Sequence, residues 1–352
     1  MKWIITTAVL IASTASAEPL RILNWADYID IALIDEFQTE TGITIAYDTY
    51  DNAEAVEAKL MAGGSNYDLV VISSEYLERL ISSEKIIGID PAKLANFDNL
   101  WADIITRVNA FDHGGNHAIP YLWGTSGLGY DATKILDRMP DAPLDSWSLL
   151  FDPEIVAHFA DCGVSVIDTP EEMLAIALTY LGHDPNSHDE AEIEAALHAI
   201  GKILPYVATV NAEQYDDLAA GDVCLALVWS GDALAAAEDA VEGVEISYTI
   251  PVEGAPIWFD LFVMPSDAVN IDQAHVFLDY MLRPDVIARA TNLLWYPNAN
   301  AAATELVDEE ILNDPTIYPT PEILERLFPV EARPPVEKSN IARAWRRLRL
   351  GL

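Results

Sequence analysis

Between Leu20 and Ile72 the chain alternates short apolar runs with amphipathic stretches, and the connections are brief. Leu20-Arg21-Ile22-Leu23, Ile43-Thr44-Ile45-Ala46-Tyr47 and Tyr67-Asp68-Leu69-Val70-Val71-Ile72 have the length and burial pattern of strands. Residues 31–41 set Ile31, Leu33, Ile34 and Phe37 on one helical stripe that ends at Gly42. Asn52 is placed to cap a second helix, with Val56 and Leu60 on its inner face and Gly63-Gly64 as its stop. Strand, helix, strand, helix, strand with short connections demands a parallel, doubly wound α/β sheet. Ligands of such sheets bind beyond the carboxyl ends of the strands. Those ends carry Asn24-Trp25-Ala26-Asp27-Tyr28 and Ser73-Ser74-Glu75. Two aromatic faces around a carboxylate make a poor core and a good seat for an ammonium group; the plainer reading is a strand end with exposed aromatics.

Farther on, the extended run from His117 to Tyr130 contains three glycines and reads as a strand that leaves a first lobe and enters a second. The second lobe has its own alternation. Gly163 to Asp168 is a strand, and Thr169 with Pro170 opens a helix through Tyr180. Val223 to Val228 is a further strand, emptying into Trp229-Ser230-Gly231-Asp232. Val244 to Pro251 leads back to the first lobe. Residues 272–292 hold two helical stretches around Arg283-Pro284-Asp285, and residues 342–352 form a basic helix suited to packing on a lobe. The expected division is a leader at 1–17, a first lobe from 18–125 and 250–295, and a second from 126–249 and 296–352.

The leader expectation rests on Met1-Lys2, the apolar stretch from Ile4 to Ile11 and the small-residue site Ala15-Ser16-Ala17, together a secretory signal peptide. No later stretch reaches the ~18 apolar residues of a membrane span. The mature chain of about 335 residues is long for one core and natural for two lobes. Its 57 acidic residues against 19 basic ones, a formal net charge of -38, exclude nucleic acid and anionic lipid as partners and attract polycations. Adaptation to a salty medium would load the surface the same way. The two cysteines, Cys162 and Cys224, are more often bridged than free in an exported chain. Such a bridge would close a loop of about 60 residues and stabilise by roughly 4 kcal/mol in the chain-entropy account.

There is no nucleophile elbow, no HExxH, no phosphate-cradling glycine loop and no zinc-type cysteine set. His113 and His117 flank a turn without a third ligand, so neither a metal nor a cofactor is expected. What repeats is aromatic plus carboxylate: Trp25 with Asp27, Trp229 with Asp232, Trp258 with Asp260, then Tyr296. Asp260 interrupts the apolar run from Ile257 to Met264, where a lone carboxylate is costly unless it meets a cation or is well hydrogen-bonded. Glu171 and Glu172, each taken alone, are explained by the dipole of the helix they open.

Collinear blocks across nearly the whole mature chain resemble the periplasmic polyamine-binding proteins of ABC importers, with the putrescine-binding branch nearest. They include N-W-A-D-Y (24–28), K-L-M-A-G (59–63), Y-D-L-V-V (67–71), C-G-V-S-V-I-D-T-P-E-E (162–172), W-S-G-D (229–232), F-D-L-F-V-M-P (259–265) and Y-P-N-A-N-A-A-A-T (296–304). The resemblance implies a two-lobe periplasmic binding protein fold of type II, crossed more than once between lobes and closing on its ligand. It implies a ligand set of Trp25, Asp27, Tyr28, Ser73, Glu172, Trp229, Asp232, Trp258, Asp260 and Tyr296, and a Cys162–Cys224 disulfide. It implies a monomeric periplasmic receptor, inserted in no membrane, that serves the permease of an ABC importer and is not an enzyme. A diamine fits that set: ammonium groups roughly 6 Å apart need carboxylates, and the methylenes between them need aromatic walls.

Three departures bear on selectivity. Ala26 and Glu75 stand where the putrescine branch carries hydroxyl residues, and Trp258 stands where it carries Phe, as in spermidine-preferring relatives. Glu75 adds a fifth carboxylate suited to a third ammonium if it faces the cleft, and adds nothing if it faces solvent. Spermidine and putrescine both stay open, with a lean to spermidine. Agmatine or cadaverine, and a sensor role with the same fold, are the alternatives; catalysis by the carboxylates finds no supporting nucleophile.

Overall fold

A computed structural model describes residues 18–351; the leader expected at 1–17 lies outside them. Among the described residues no helix is long and apolar enough to cross a membrane.

Three parallel strands begin the chain: β1 (Leu20–Trp25) lies between β2 (Ile45–Tyr50) and β3 (Leu69–Ser73). Neighbouring side chains along these strands point to opposite faces. Leu20, Ile22, Leu69 and Val71 join the helix Ile31–Thr41 through Leu33, Ile34 and Phe37. Leu23, Val70 and Ile72 join the helix Ala53–Ala62 through Val56 and Leu60 on the other face. Both helices end at the glycines the sequence marks, and the second begins at its expected cap. Asp30 accepts from the Ala32 amide and Gly42 closes the first in the left-handed region (φ 72°). Asn52 accepts from the Ala55 amide at 2.8 Å, and Gly63 ends the second.

After the short β4 (Ile86–Ile87) comes β5 (Ala118–Asp131), 14 residues that are buried throughout. Its first half pairs with β10 (Ala255–Pro265), and its second half, from Ser126, pairs with β8 (Leu225–Trp229) and β9 (Ile246–Thr249). A single strand thus belongs to both lobes, and the crossing falls at Thr125–Ser126. The second-lobe sheet consists of β6 (Val164–Ile167), flanked in parallel by β7 (Thr209–Asn211) and β8 (Leu225–Trp229), with β9 (Ile246–Thr249) on the far side of β5. The return strand β10 (Ala255–Pro265) runs antiparallel between β3 and β5, with the short β11 (Leu327–Phe328) beside its start. Both lobes are therefore parallel sheets with antiparallel crossing strands, covered by helices.

The stretch after Tyr296 packs elsewhere than the sequence division placed it. The stretch beginning at Tyr296, expected in the second lobe, packs Tyr296, Ala303, Val307, Ile311 and Ile317 with the helices Ile31–Thr41 and Ile271–Met281 of the first. Its apolar residues have no periodic pattern, so only the surface they cover reveals their lobe. The chain crosses again near β11 to a helix longer than the basic tail suggested, Pro335–Arg349, which buries Ile341 and Trp345 on the second lobe. The Trp345 indole donates to Asp168 at 2.7 Å.

Cys162 and Cys224 are bridged, with their Cα atoms 5.5 Å apart. They stand just ahead of the paired strands β6 and β8, 62 positions apart in sequence. Closing so long a loop restricts the unfolded chain, by about 4 kcal/mol in the entropic account. Calorimetry should show a melting temperature lower by about 10 °C on reduction, and no effect of reductant on a C162A/C224A variant.

Candidate functional site

The strand ends of both lobes converge where β5 and β10 cross between them. Asp260 is opposite Ser73 of β3 and Leu122 of β5, and the register of β10 shifts at Asp260/Leu261. A bulge re-aims a side chain out of the pleat. Here it accompanies a carboxylate that is only 5% exposed inside an apolar strand. Asp260 Oδ1 accepts from the Ser73 hydroxyl at 2.8 Å and from the Trp25 indole at 3.3 Å. Burial pushes its carboxyl up to about 6, with the Ser73, Tyr28 and Trp25 donors holding it back. The Tyr28 hydroxyl, buried nearby, has no hydrogen bond of normal geometry. Trp25 is half-buried against Tyr50, ring centres 4.4 Å apart.

The second lobe brings Asp232, in the first turn of the helix Ser230–Glu238, to Tyr296 of the first. The Tyr296 hydroxyl donates to Asp232 Oδ1 at 2.8 Å and accepts from the Asp232 amide at 3.1 Å. Burial raises Asp232 to about 6, and the tyrosine donor opposes it. Tyr296 also meets Tyr28 and Trp258 edge-on at 5.8 and 5.2 Å. Two glycines make this wall possible. A Cβ on Gly231 would stand 2.4 Å from the Tyr296 ring, and one on Gly124 would stand 2.4 Å from the Trp258 ring.

Glu172 opens the helix Pro170–Tyr180 and accepts from the hydroxyls of Ser126 and Thr169, the latter at 3.0 Å. Thr169 occupies the cap position, but its side chain makes no cap bond to the backbone. The hydroxyl expected to cap the helix instead holds the carboxylate. Burial lifts Glu172 above the ordinary carboxylate range, against the Ser126, Thr169 and Trp229 donors. Glu75, in the turn after β3, is half-buried, and burial with the charges of Glu172 and Glu171 pushes it to about 8. Its side chain is partly shielded from solvent. Trp229 is half-buried at the start of the helix that carries Asp232.

Among the carboxylates singled out for the ligand set, Asp27 differs in its exposure. It is exposed, in a tight turn after β1 with left-handed backbone (φ 51°). The residues that sequence reasoning missed are Ser126, Thr169, Tyr50 and the two glycines. Glycine inside a strand often marks close approach of another group, so Gly124 was findable; the hydroxyls look like any other strand-end or cap residue. Among the described residues no salt bridge reaches Asp260, Asp232 or Glu172, and no three His, Cys, Asp or Glu side chains gather as a metal site. Buried carboxylates without a protein cation among the described residues, lined by indoles and phenols, are fitted to take up an organic cation.

Residues 32–320 match the bacterial extracellular solute-binding proteins, and the chain belongs to that family. It is 41% identical over 345 residues to the putrescine-binding periplasmic protein SpuD of Pseudomonas aeruginosa, covering 97% of this chain and 94% of that one. It is 40% identical to the putrescine-binding periplasmic protein PotF of Escherichia coli, covering 96% and 93%. Among solved structures, a putative spermidine/putrescine ABC transporter from Listeria monocytogenes superposes with a TM-score of 0.83 at 31% identity, over 94% of this chain and 99% of that one. Two of these relatives are periplasmic binding proteins by name and the third is an ABC transporter by name, and this chain has the two-lobe type II architecture.

The raised carboxyls set the sign of a pH effect. Each favours its proton in the folded chain, so the stability it contributes is complete below the ordinary carboxylate range. That stability is lost as pH climbs through about 6 for Asp232 and Asp260 and about 8 for Glu75. The melting temperature of the ligand-free protein should fall between pH ~5 and ~8, and Asp260→Asn should flatten the part of the fall near 6. The amide retains the acceptor for Ser73 and Trp25 without the charge. An Asp260→Asn variant melting in parallel with the parent at every pH would remove Asp260 as a source of the effect.

Proposed function

We propose that the protein is an extracytoplasmic receptor that captures a polyamine, putrescine or spermidine, between its lobes and delivers it to the permease of an ABC importer. The observation that carries this reading is the unpaired state of Asp260, Asp232 and Glu172. These three inward carboxylates come from both lobes, have no protein cation among the described residues, and are walled by Trp25, Trp229, Trp258, Tyr28 and Tyr296. An ammonium taken from water needs charge partners as well as hydrogen bonds, and each ring it faces adds about 0.5–2 kcal/mol. The names of the relatives support the same ligand class. A protein 38% identical is named for putrescine and agmatine, which keeps agmatine as the second reading.

A ligand that engages carboxylates of both lobes binds the closed form better and shifts the population toward it. The two crossing strands and the turn near β11 would serve as the hinge, and the lobes as the bodies that move. Addition of the bound amine should reduce the radius of gyration in small-angle scattering; an unchanged curve at saturation would count against closure.

Isothermal titration of the mature protein with putrescine, spermidine and agmatine is the direct test. Micromolar or tighter binding of at least one is expected, and silence to all three would end the polyamine reading. Asp260→Asn should weaken the best amine by well over tenfold, since a desolvated ammonium loses a charge partner worth about 2–5 kcal/mol.

A further inference from the structure

Around Tyr76, the residue after Glu75, the protein holds cations of its own where the two lobes meet. Lys338, on the C-terminal helix Pro335–Arg349, places its Nζ 3.1 Å from Glu171 and 4.0 Å from Glu57. The same ammonium lies 5.5 Å from the centre of the Tyr76 ring, which Arg79 approaches at 5.3 Å. Arg79 in turn holds Glu57 at 2.6 Å. Lys338 is 29% exposed and its partners Glu57 and Glu171 are 16% and 20% exposed, so the cluster is partly dry and its charges are incompletely screened. The Glu75 carboxyl feels this ammonium as well as Glu172 and Glu171.

These contacts alter what Glu75 can offer. On its own, a carboxylate at this position would extend the site toward a third ligand ammonium. With Lys338 in place, the nearby negative charge of Glu171 and Glu57 is already countered by a primary ammonium on a four-carbon stem, the same head group that an aminobutyl chain would present. A second ammonium entering there would meet a like charge in a region of reduced screening.

We propose that Lys338 is a selectivity residue, a tethered ammonium that fills the charge slot beside Glu75 and Glu171 and so favours diamines over triamines. The proposal rests on the polyamine reading above and runs opposite to the lean toward spermidine that Glu75 alone suggested.

The test titrates the full mature protein and its Lys338→Met, Lys338→Arg and Lys338→Gln variants with putrescine and spermidine at fixed salt, after melting curves confirm folding. The parent should bind putrescine more tightly. Lys338→Met and Lys338→Gln should each raise the spermidine-to-putrescine affinity ratio tenfold or more, and Lys338→Arg should leave it near the parent value. Adding Glu75→Gln to Lys338→Met should cancel the gain, because the freed carboxylate is what the third ammonium would use. An unchanged ratio in the Met and Gln variants overturns the proposal, including the case in which both amines weaken together because Lys338 merely ties Glu57 of one lobe to Glu171 of the other. A parent that binds neither amine fails at the earlier step and refutes the polyamine reading itself.

Discussion

The carboxylate of Asp260 is held inside an apolar strand, and much of the molecule follows from accommodating it. β10 must run between β3 and β5 to bring Ser73 alongside and must break register at that residue to turn the side chain out of the pleat. The same strand is one of those that join the lobes. The group that most needs a cation is thus built into the connection on which any closing motion would turn. Three hydrogen-bond donors nearby soften the cost of burial without cancelling it, and a carboxyl that titrates near 6 is the result. A fully paired carboxylate would fold more comfortably and have little left to give a ligand.

The two lobes meet through groups of the same kind. Tyr296 belongs by packing to the first lobe and gives its hydroxyl to Asp232 of the second. Glu75 and Glu172 come from opposite lobes, and burial together with the charge of Glu172 favours the protonated form of Glu75. The aromatic walls depend on two glycines, Gly124 and Gly231, where any side chain would displace Trp258 or Tyr296. The net charge of -38 then extends the preference for cations beyond the cleft, because a surface of one sign raises the local concentration of the opposite one.

Local features are legible in the order of residues alone. The alternation from Leu20 to Ile72 determined a parallel sheet because a period of two and a period of 3.6 are set by backbone geometry. Gly42, Asn52 and Gly63 mark helix ends because caps satisfy backbone groups within a few residues. Asp260 stands out because a carboxylate in an apolar run has to be explained by its surroundings. The sequence by itself therefore determined the fold class, the strand ends that carry function and the aromatic-carboxylate chemistry, helped by the collinear blocks shared with a known family.

Only the tertiary structure decided which residues meet. Ser126 and Thr169 hold Glu172, Ser73 reaches Asp260 across 187 positions, and Lys338 arrives beside Glu171 on a helix from the far end of the chain. The stretch after Tyr296 takes its lobe from the surface it covers, and Asp27 is left exposed by a turn that its own sequence does not distinguish from an inward one. Periodicity reports the environment a residue requires and is silent about the partner that supplies it. Pairing across long separations depends on how the sheets are ordered, and that order exists only once β5 and β10 have crossed.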